Sequence, residues 1–300
     1  MLPLLRNFSK HKTWNLQMAI QFMNHGKATP NGNLLIVDGL NLAFRWKHQG
    51  TADFEHEYVR TVQSLAKSYN CGEIVVLGDG GSNYRKEIYP EYKANRKERY
   101  AEQTEKEAKE FEMFLAEFST TLKTLSRKGY LTLKYAGVEA DDIAALITQN
   151  REELGLDEIW MVSSDRDWDL LVDGNISRFS TVTRKETTLL NWDEHYDFDP
   201  EYFLTYKCLT GDKGDNVPGV DGIGPKRATQ IIQQYGDIFD IMASLPMEGK
   251  YKFIQNLNEF GEEGLEIGLK LMDLTYDVDG AVLGHSQEII GLVENYVSKN

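Results

Sequence analysis

Three hundred residues with 41% hydrophobic content are enough for one large domain or two ordinary ones with a buried core, and no apolar run is long enough to span a bilayer. A net charge of −14 argues against phosphate binding by the surface as a whole, and two cysteines, Cys71 and Cys208, are too few for a disulfide framework. The N-terminus lacks the continuous apolar segment of a secretory signal, so a soluble protein of a reducing cytoplasm, without a membrane partner, is expected.

Residues 1–33 are polar and basic with a few apolar side chains, among them Trp14, Ile20 and Phe22, and end in the turn-forming ATPNGN; they read as a flexible N-terminal extension. Leu34–Val37 is a continuous apolar run closed by Asp38 and Gly39, which suits a strand buried on both faces of a parallel sheet. The pattern recurs at Ile74–Leu77, closed by Gly78 and Asp79, and at Ile159–Val162, followed by Ser163, Ser164, Asp165 and Asp167. Helical patterns over 58–69 and 111–125 lie between these runs, so the chain reads as an α/β protein with a parallel or mixed sheet. Three strands finish in aspartates, and strand ends of an open α/β sheet are where ligands bind. One such aspartate is ordinary turn chemistry, but its repetition on separate elements is not.

The segment Arg85–Arg99, RKEIYPEYKANRKER, holds six basic residues against three acidic ones in an otherwise acidic chain. Tyr89, Tyr92 and Tyr100 lie among Lys93, Arg96, Lys97 and Arg99, a pattern that is either a solvated helix or a strand-binding segment in which aromatics stack bases and cations meet phosphates. Further on, GVEADDIAAL (137–146) opens a predicted buried helix, with Ala140, Ile143, Ala144 and Ile147 at core spacing. Glu139 and Asp142 are i, i+3 neighbours that can point into one volume, and Asp141 lies about 100° around the helix from Asp142. Acids at a helix N-terminus are favoured by the macrodipole alone, so this cluster gains meaning only from carboxylates elsewhere.

A β-like stretch over 176–190 precedes a predicted helix over 200–209 and then TGDKGDNVPGVDGIGPKRA. Asp212 and Asp215 are again i, i+3. Gly219–Gly224 contains three glycines and leads into a helix with Pro225 at its first position, core residues Ala228, Ile231 and Ile232, and Gly236 at its end. Backbone N–H groups at such a helix start, with Lys226 and Arg227, form a phosphate-binding arrangement. The remainder reads as short helices, including 237–245 and a terminal one carrying Ile289, Leu292, Val293 and Tyr296. A sharp boundary falls near residue 33 and a softer one near residue 200, giving an expected division into 1–33, 34–200 and 201–300.

Collected, the acids are Asp38, Asp79, Glu139, Asp141, Asp142, Asp165, Asp167, Asp212 and Asp215. Nine carboxylates cannot gather without cations, and oxygen-only ligands point to Mg²⁺ or Mn²⁺ rather than Zn²⁺. Such a site beside a basic segment and a phosphate-binding loop suits metal-assisted hydrolysis of a phosphodiester.

The ordered set VDGLN, LGD, YPEYKANR, GVEADD, SSDRDWD and TGDKGDNVPGVDGIGPKRA resembles the flap endonuclease family of structure-specific 5′-nucleases, especially the stand-alone enzymes of tailed bacteriophages, over residues 34–300. The resemblance implies a PIN-like α/β fold with a mixed, mostly parallel sheet flanked by helices. It also implies a helical arch over about 84–118 for a single-stranded 5′ arm, a C-terminal helix-hairpin-helix on duplex DNA, and a 5′-phosphate product. The implied activity is a Mg²⁺-dependent 5′ flap endonuclease and 5′ to 3′ exonuclease that removes flaps and primers in replication by a two-metal mechanism, with Mn²⁺ able to substitute. Carried over by motif, all nine carboxylates are metal ligands. Asp38, Asp79, Glu139, Asp141 and Asp165 are then nearest the catalytic ions, and Asp212 and Asp215 more distant. Lys93 and Arg96 contact the scissile phosphate as catalytic residues, and Tyr92 stacks or positions. Lys207, Gly222, Gly224, Lys226 and Arg227 are duplex contacts, with K⁺ on hairpin carbonyls. The implied partner is branched DNA with a 5′ arm, bound by a monomer. The terminal ENYVSKN holds no Gln-plus-aromatic sliding-clamp peptide. Two other readings use the same features: a branched-DNA binding protein that does not cleave, and a small-molecule phosphohydrolase.

Overall fold

The computed structural model describes residues 32–51 and 53–298, without the side chains of residues 97–100; the expected extension over 1–33 falls outside it except for its last two residues. Strands β1 (Asn33–Asp38), β2 (Glu73–Leu77), β3 (Leu131–Leu133), β4 (Glu158–Val162), β5 (Ile176–Phe179) and β6 (Glu186–Thr187) form one sheet in the order β3-β2-β1-β4-β5-β6. All neighbours run parallel except β5 and β6. The strand period of two divides β1 cleanly: Leu34 and Ile36 join the core on one face, Leu35 and Val37 that on the other, and all four are fully buried. Three strands coincide with the apolar runs. The third in chain order, β3, has no such run, since Thr132 separates Leu131 from Leu133.

Helices α1 (Gly39–His48) and α2 (Glu55–Ser68) cover one face. The segment after β2 forms α3 (Asn83–Ile88), α4 (Ala94–Ala101) and α5 (Glu105–Arg127). The helix expected over 111–125 is the core-facing part of α5, which starts earlier because Thr104 and Glu107 close a capping box. Only from Phe114 onward does α5 bury residues against the sheet. On the opposite face lies α6 (Ala140–Gln149).

From β1 the chain builds outward through β2 to β3, then crosses back to β4 and β5 on the other side. The order therefore reverses between β1 and β4, and the crevice beyond their carboxyl ends is the topological switch point of the sheet. A second core lies around α7 (Phe203–Thr210), α8 (Pro225–Tyr235), α9 (Ile238–Ala243) and α10 (Lys252–Met272). Where short helices were expected, α10 is one long element kinked at Gly261, whose φ is +62°. After it, α11 (Val278–Ala281) and α12 (Ser286–Val297) return to the sheet: Val278, Ile289 and Val293 join its core, and the Tyr296 hydroxyl accepts the Ile74 N–H at 3.3 Å. No helix among the described residues is long and apolar enough to cross a membrane.

Candidate active site at the carboxyl edge of the sheet

Asp38 closes β1 and caps α1, accepting the Asn41 N–H at 3.1 Å and the Ser163 hydroxyl from the end of β4 at 2.9 Å. Burial, with Asp165 and Asp79 nearby, pushes its carboxyl up to about 7. Asp79 follows β2 and accepts the Gly81 N–H at 2.7 Å. Asp141, in the first turn of α6, accepts the Trp168 indole N–H at 2.6 Å. Its carboxyl is driven well above the usual range by burial and then by Asp165, Glu139 and Asp38. Asp165, an exposed residue, accepts the Asp167 N–H at 3.0 Å. Carboxylates from four separate segments therefore feel one another's charge at the switch point. A small void of about 10 Å³ is lined by Asp141, Asp167, Asp212 and Asp215 together.

Cations divide the nine. Arg85, the first residue of the basic segment 85–99, is 3% exposed. Its Nη1 and Nη2 donate to both oxygens of Asp142 at 2.9 and 2.8 Å, Nη1 donates to Glu139 at 2.7 Å, and Nε donates to the Leu271 carbonyl of α10 at 2.8 Å. Asp142 is thus turned toward Arg85, away from Asp141, and the shared volume expected for Glu139 and Asp142 is filled by a guanidinium. Glu139 also accepts from Lys93 Nζ. Burial works against its charge, but Lys93 and Arg85 outweigh that and hold its carboxyl below the ordinary range. Lys207 bridges Asp167 and Asp212 at 2.6 and 2.7 Å. Burial and Asp165 push Asp167 up to about 6 against the pull of Lys207.

Lys207, expected as a duplex contact, is 8% exposed and is held between two acids on the wall of a cavity of about 480 Å³; on α7 its side-chain direction depends on acids distant in sequence. Tyr92 is 4% exposed, which leaves no open ring face for a base. Its hydroxyl donates to Asp215 at 3.0 Å and reaches Glu139 at 3.3 Å, contacts that suit a positioning residue.

Lys93 and Arg96 stand at the base of the arch. Lys93 has φ +58°, and its N–H donates to the Asp215 carbonyl at 2.8 Å while Nζ lies 3.3 Å from the Asp215 carboxylate. Arg96 meets the same carboxylate at 2.6 Å but remains 41% exposed, available to a ligand. Asn95 donates to the Lys213 carbonyl and Asn216 to that of Glu91, each in 2.9 Å or less, which ties the arch base to the GDKGDN loop. Lys93, Arg96, Lys86, Asp79 and Glu139 line a cavity of about 220 Å³. In the hairpin, Gly222 has φ +77° and its carbonyl accepts from Arg227 Nη1 at 2.5 Å; that guanidinium also lies 4.8 Å from the Phe253 ring centre. Lys226 and Gly224 are exposed at the start of α8. Phe253 and the buried Arg85 carried no periodicity or motif signal. Ser163, whose hydroxyl holds Asp38, was legible only as a residue that follows the apolar run 159–162 within SSDRDWD.

A family model described as the 5′-3′ exonuclease N-terminal resolvase-like domain matches residues 33–197, and one described as the 5′-3′ exonuclease C-terminal SAM fold matches residues 198–286. The chain belongs to the 5′-3′ exonuclease family. As a member of it, the protein is a nuclease, a hydrolase acting on DNA, which sets aside the non-cleaving and small-molecule readings. The chain is 45% identical over 262 residues to the flap endonuclease of Escherichia phage T5, covering 86% of this chain and 89% of that one. It is 29% identical to a 5′-3′ exonuclease of Mycoplasma pneumoniae over 71% of this chain and 75% of that one. Against the thermostable DNA polymerase I of Thermus caldophilus, 29% identical, it spans only 30% of the relative's length. A solved structure of T5 5′-exonuclease with bound zinc superposes with a TM-score of 0.82 at 42% identity, covering 89% of this chain and 98% of that one. A T5 flap endonuclease complex with DNA and metal ions superposes with a TM-score of 0.81 at the same identity and coverage.

Within this exonuclease fold, among the described residues, no group of three or more His, Cys, Asp or Glu is gathered closely enough to hold a metal ion, and Arg85, Lys93 and Lys207 pair with several of the carboxylates. The donor set itself fits a hard divalent cation. It is all oxygen, and the carboxyls of Asp38, Asp141 and Asp167 are raised by burial first and by neighbouring acids second, both of which such a cation would offset.

Proposed function

We propose that this exonuclease is a Mg²⁺-dependent, structure-specific 5′ flap endonuclease with 5′ to 3′ exonuclease activity, which removes 5′ flaps and primers during replication. One observation supports it above others: Asp38, Asp79, Glu139, Asp141 and Asp165 meet at the switch point, directly beside the cations of the arch base. Those five, with Asp167, Asp212 and Asp215, are the proposed metal ligands, and Asp142 acts through Arg85. Two Mg²⁺ ions, or Mn²⁺ in their place, would lower the pKa of an attacking water and stabilise the attacking and leaving oxygens of an in-line displacement. Arg96 and Lys93 bind the scissile phosphate and offset charge that develops on it, with Tyr92 fixing Glu139 and Asp215 from within. The exposed N–H groups at Gly222 and Gly224, with Lys226 and Arg227, grip the duplex backbone, where K⁺ on hairpin carbonyls would add charge. The substrate is branched DNA with a single-stranded 5′ arm, and the protein acts as a monomer in the cytoplasm.

The test is cleavage of a labelled 5′ flap, a nicked duplex and a single strand with titrated Mg²⁺. Cutting near the flap junction, absent in EDTA, is expected; a protein that binds the flap yet leaves it intact in both Mg²⁺ and Mn²⁺ contradicts the proposal.

A further inference from the structure

The carboxylates have a second cationic border that neither the motifs nor the arch accounts for. Arg166, between Asp165 and Asp167, opens onto a cavity of about 480 Å³ on the α7 side of the site, whose wall includes Asp165, Asp167, Lys207, Tyr206 and Asp212. The arch-side cavity with Lys93 and Arg96 is separate from it and shares none of its lining residues. Lys207 is already held by two acids. Arg166 is different: it is exposed and, among the described residues, makes no ion pair despite an aspartate on either side in sequence. Its Nε donates to the Tyr196 hydroxyl at 3.2 Å and its guanidinium lies 5.0 Å from the Tyr196 ring centre. Tyr196 is itself fixed, since its hydroxyl donates to Asp169, and Asp169 is clamped by Arg178 Nη2 at 2.8 Å. Arg178 in turn donates to the Ser163 carbonyl at 3.0 Å, the same residue whose hydroxyl holds Asp38. Tyr196, Asp169 and Arg178 are all buried.

An arginine that merely neutralised Asp165 or Asp167 would bend onto them. Here a buried relay holds the guanidinium off its neighbours, with an aromatic ring behind it and Nη1 and Nη2 without a partner among the described residues. A planar, backed fork whose Nη1–Nη2 edge is free suits bidentate binding of a phosphate. A phosphodiester strand that crosses a pocket of acids also needs a cation on each side of it, and α7 begins the subdomain that carries the hairpin.

We propose that Arg166 is a second phosphate clamp, which takes a backbone phosphate of the DNA on the duplex side of the carboxylates, separate from Lys93 and Arg96. The proposal rests on the nuclease reading above. It is tested by anisotropy of a labelled flap DNA in EDTA across a KCl series, together with steady-state cleavage in Mg²⁺ and thermal unfolding. Arg166→Met should flatten the plot of log affinity against log salt by about 0.9, one phosphate contact. It should also raise KM by about 10-fold or more, with a smaller effect on kcat. Tyr196→Phe keeps the charge but frees the fork, so it should retain the salt slope and raise KM less. An Arg166→Met protein with the wild-type slope and KM overturns the proposal, and so does one with a lowered Tm and an unchanged slope, which would make the residue a packing partner of Tyr196 only. If wild-type protein cuts no flap, the nuclease reading fails, while the slope measured in EDTA still decides Arg166.

Discussion

Arg85 joins three parts of the molecule through one buried guanidinium: the arch base that carries it, Asp142 on α6 with Glu139 at its N-cap, and the Leu271 carbonyl of α10. Its removal leaves a buried carboxylate without a counter-ion, a mechanism that costs about 3–5 kcal/mol. Arg85→Met should lose that much unfolding free energy in urea, and Arg85→Met with Asp142→Leu should recover much of it, because a pair replaced together leaves no orphan charge. A single variant as stable as wild type would contradict the burial described. The acids carry a pH signature as well. Folding raises the carboxyls of Asp38 to about 7 and Asp167 to about 6, so between pH ~7 and ~4 the folded protein holds more protons than the unfolded chain and acid stabilises it. Glu139 and Asp212, held below their ordinary range, reverse this only at lower pH. In EDTA, unfolding free energy should therefore rise from pH 7 to about pH 5, and Mg²⁺ should flatten the trend; a fall over that window contradicts it. Asp38, Asp79, Asp165 and Asp167 were legible in the sequence because they follow apolar runs, and Glu139, Asp142, Asp212 and Asp215 because they recur at i, i+3 spacing. Arg85 was not, since nothing in a charged segment says which cation turns inward.

Elements announced themselves in proportion to their local chemistry. Helix α8 runs from Pro225 to Tyr235 with Gly236 after it, as its proline start and glycine end predict. Strand β3, three residues with a threonine in the middle, is placed by its parallel pairing with β2, and pairing is not written locally. The direction of Lys207 on α7 was likewise settled by Asp167 and Asp212, from elements the helix pattern cannot see. At the hairpin, Lys226 and Arg227 are neighbours with different tasks. Arg227 closes the turn on Gly222 and lies over Phe253, whereas Lys226 is exposed in the first turn of α8. Lys226→Ala should reduce the salt slope of duplex binding by about 0.9 without moving Tm, while Arg227→Ala should lower both. Identical salt slopes for Lys226→Ala and wild type would remove Lys226 from the interface.

At the scale of the whole molecule, the sheet order brings the site together. β1 and β4 are adjacent yet 125 residues separate Asp38 from Ser163, and the reversal of strand order between them opens the crevice that collects the acids. The GDKGDN loop then closes onto the arch base from the second core, through Asp215 with Lys93 and Arg96. A net charge of −14 is compatible with a DNA substrate because acids are concentrated where cations are needed and the basic side chains border them. The central claim is that these carboxylates hold divalent cations beside the DNA backbone. Electron paramagnetic resonance of Mn²⁺ added to the metal-free protein with flap DNA measures this directly. The account predicts tightly bound Mn²⁺ in the wild type, with loss of bound ion in Asp141→Asn and Asp165→Asn while DNA binding persists; equal Mn²⁺ uptake by wild type and both variants would contradict it.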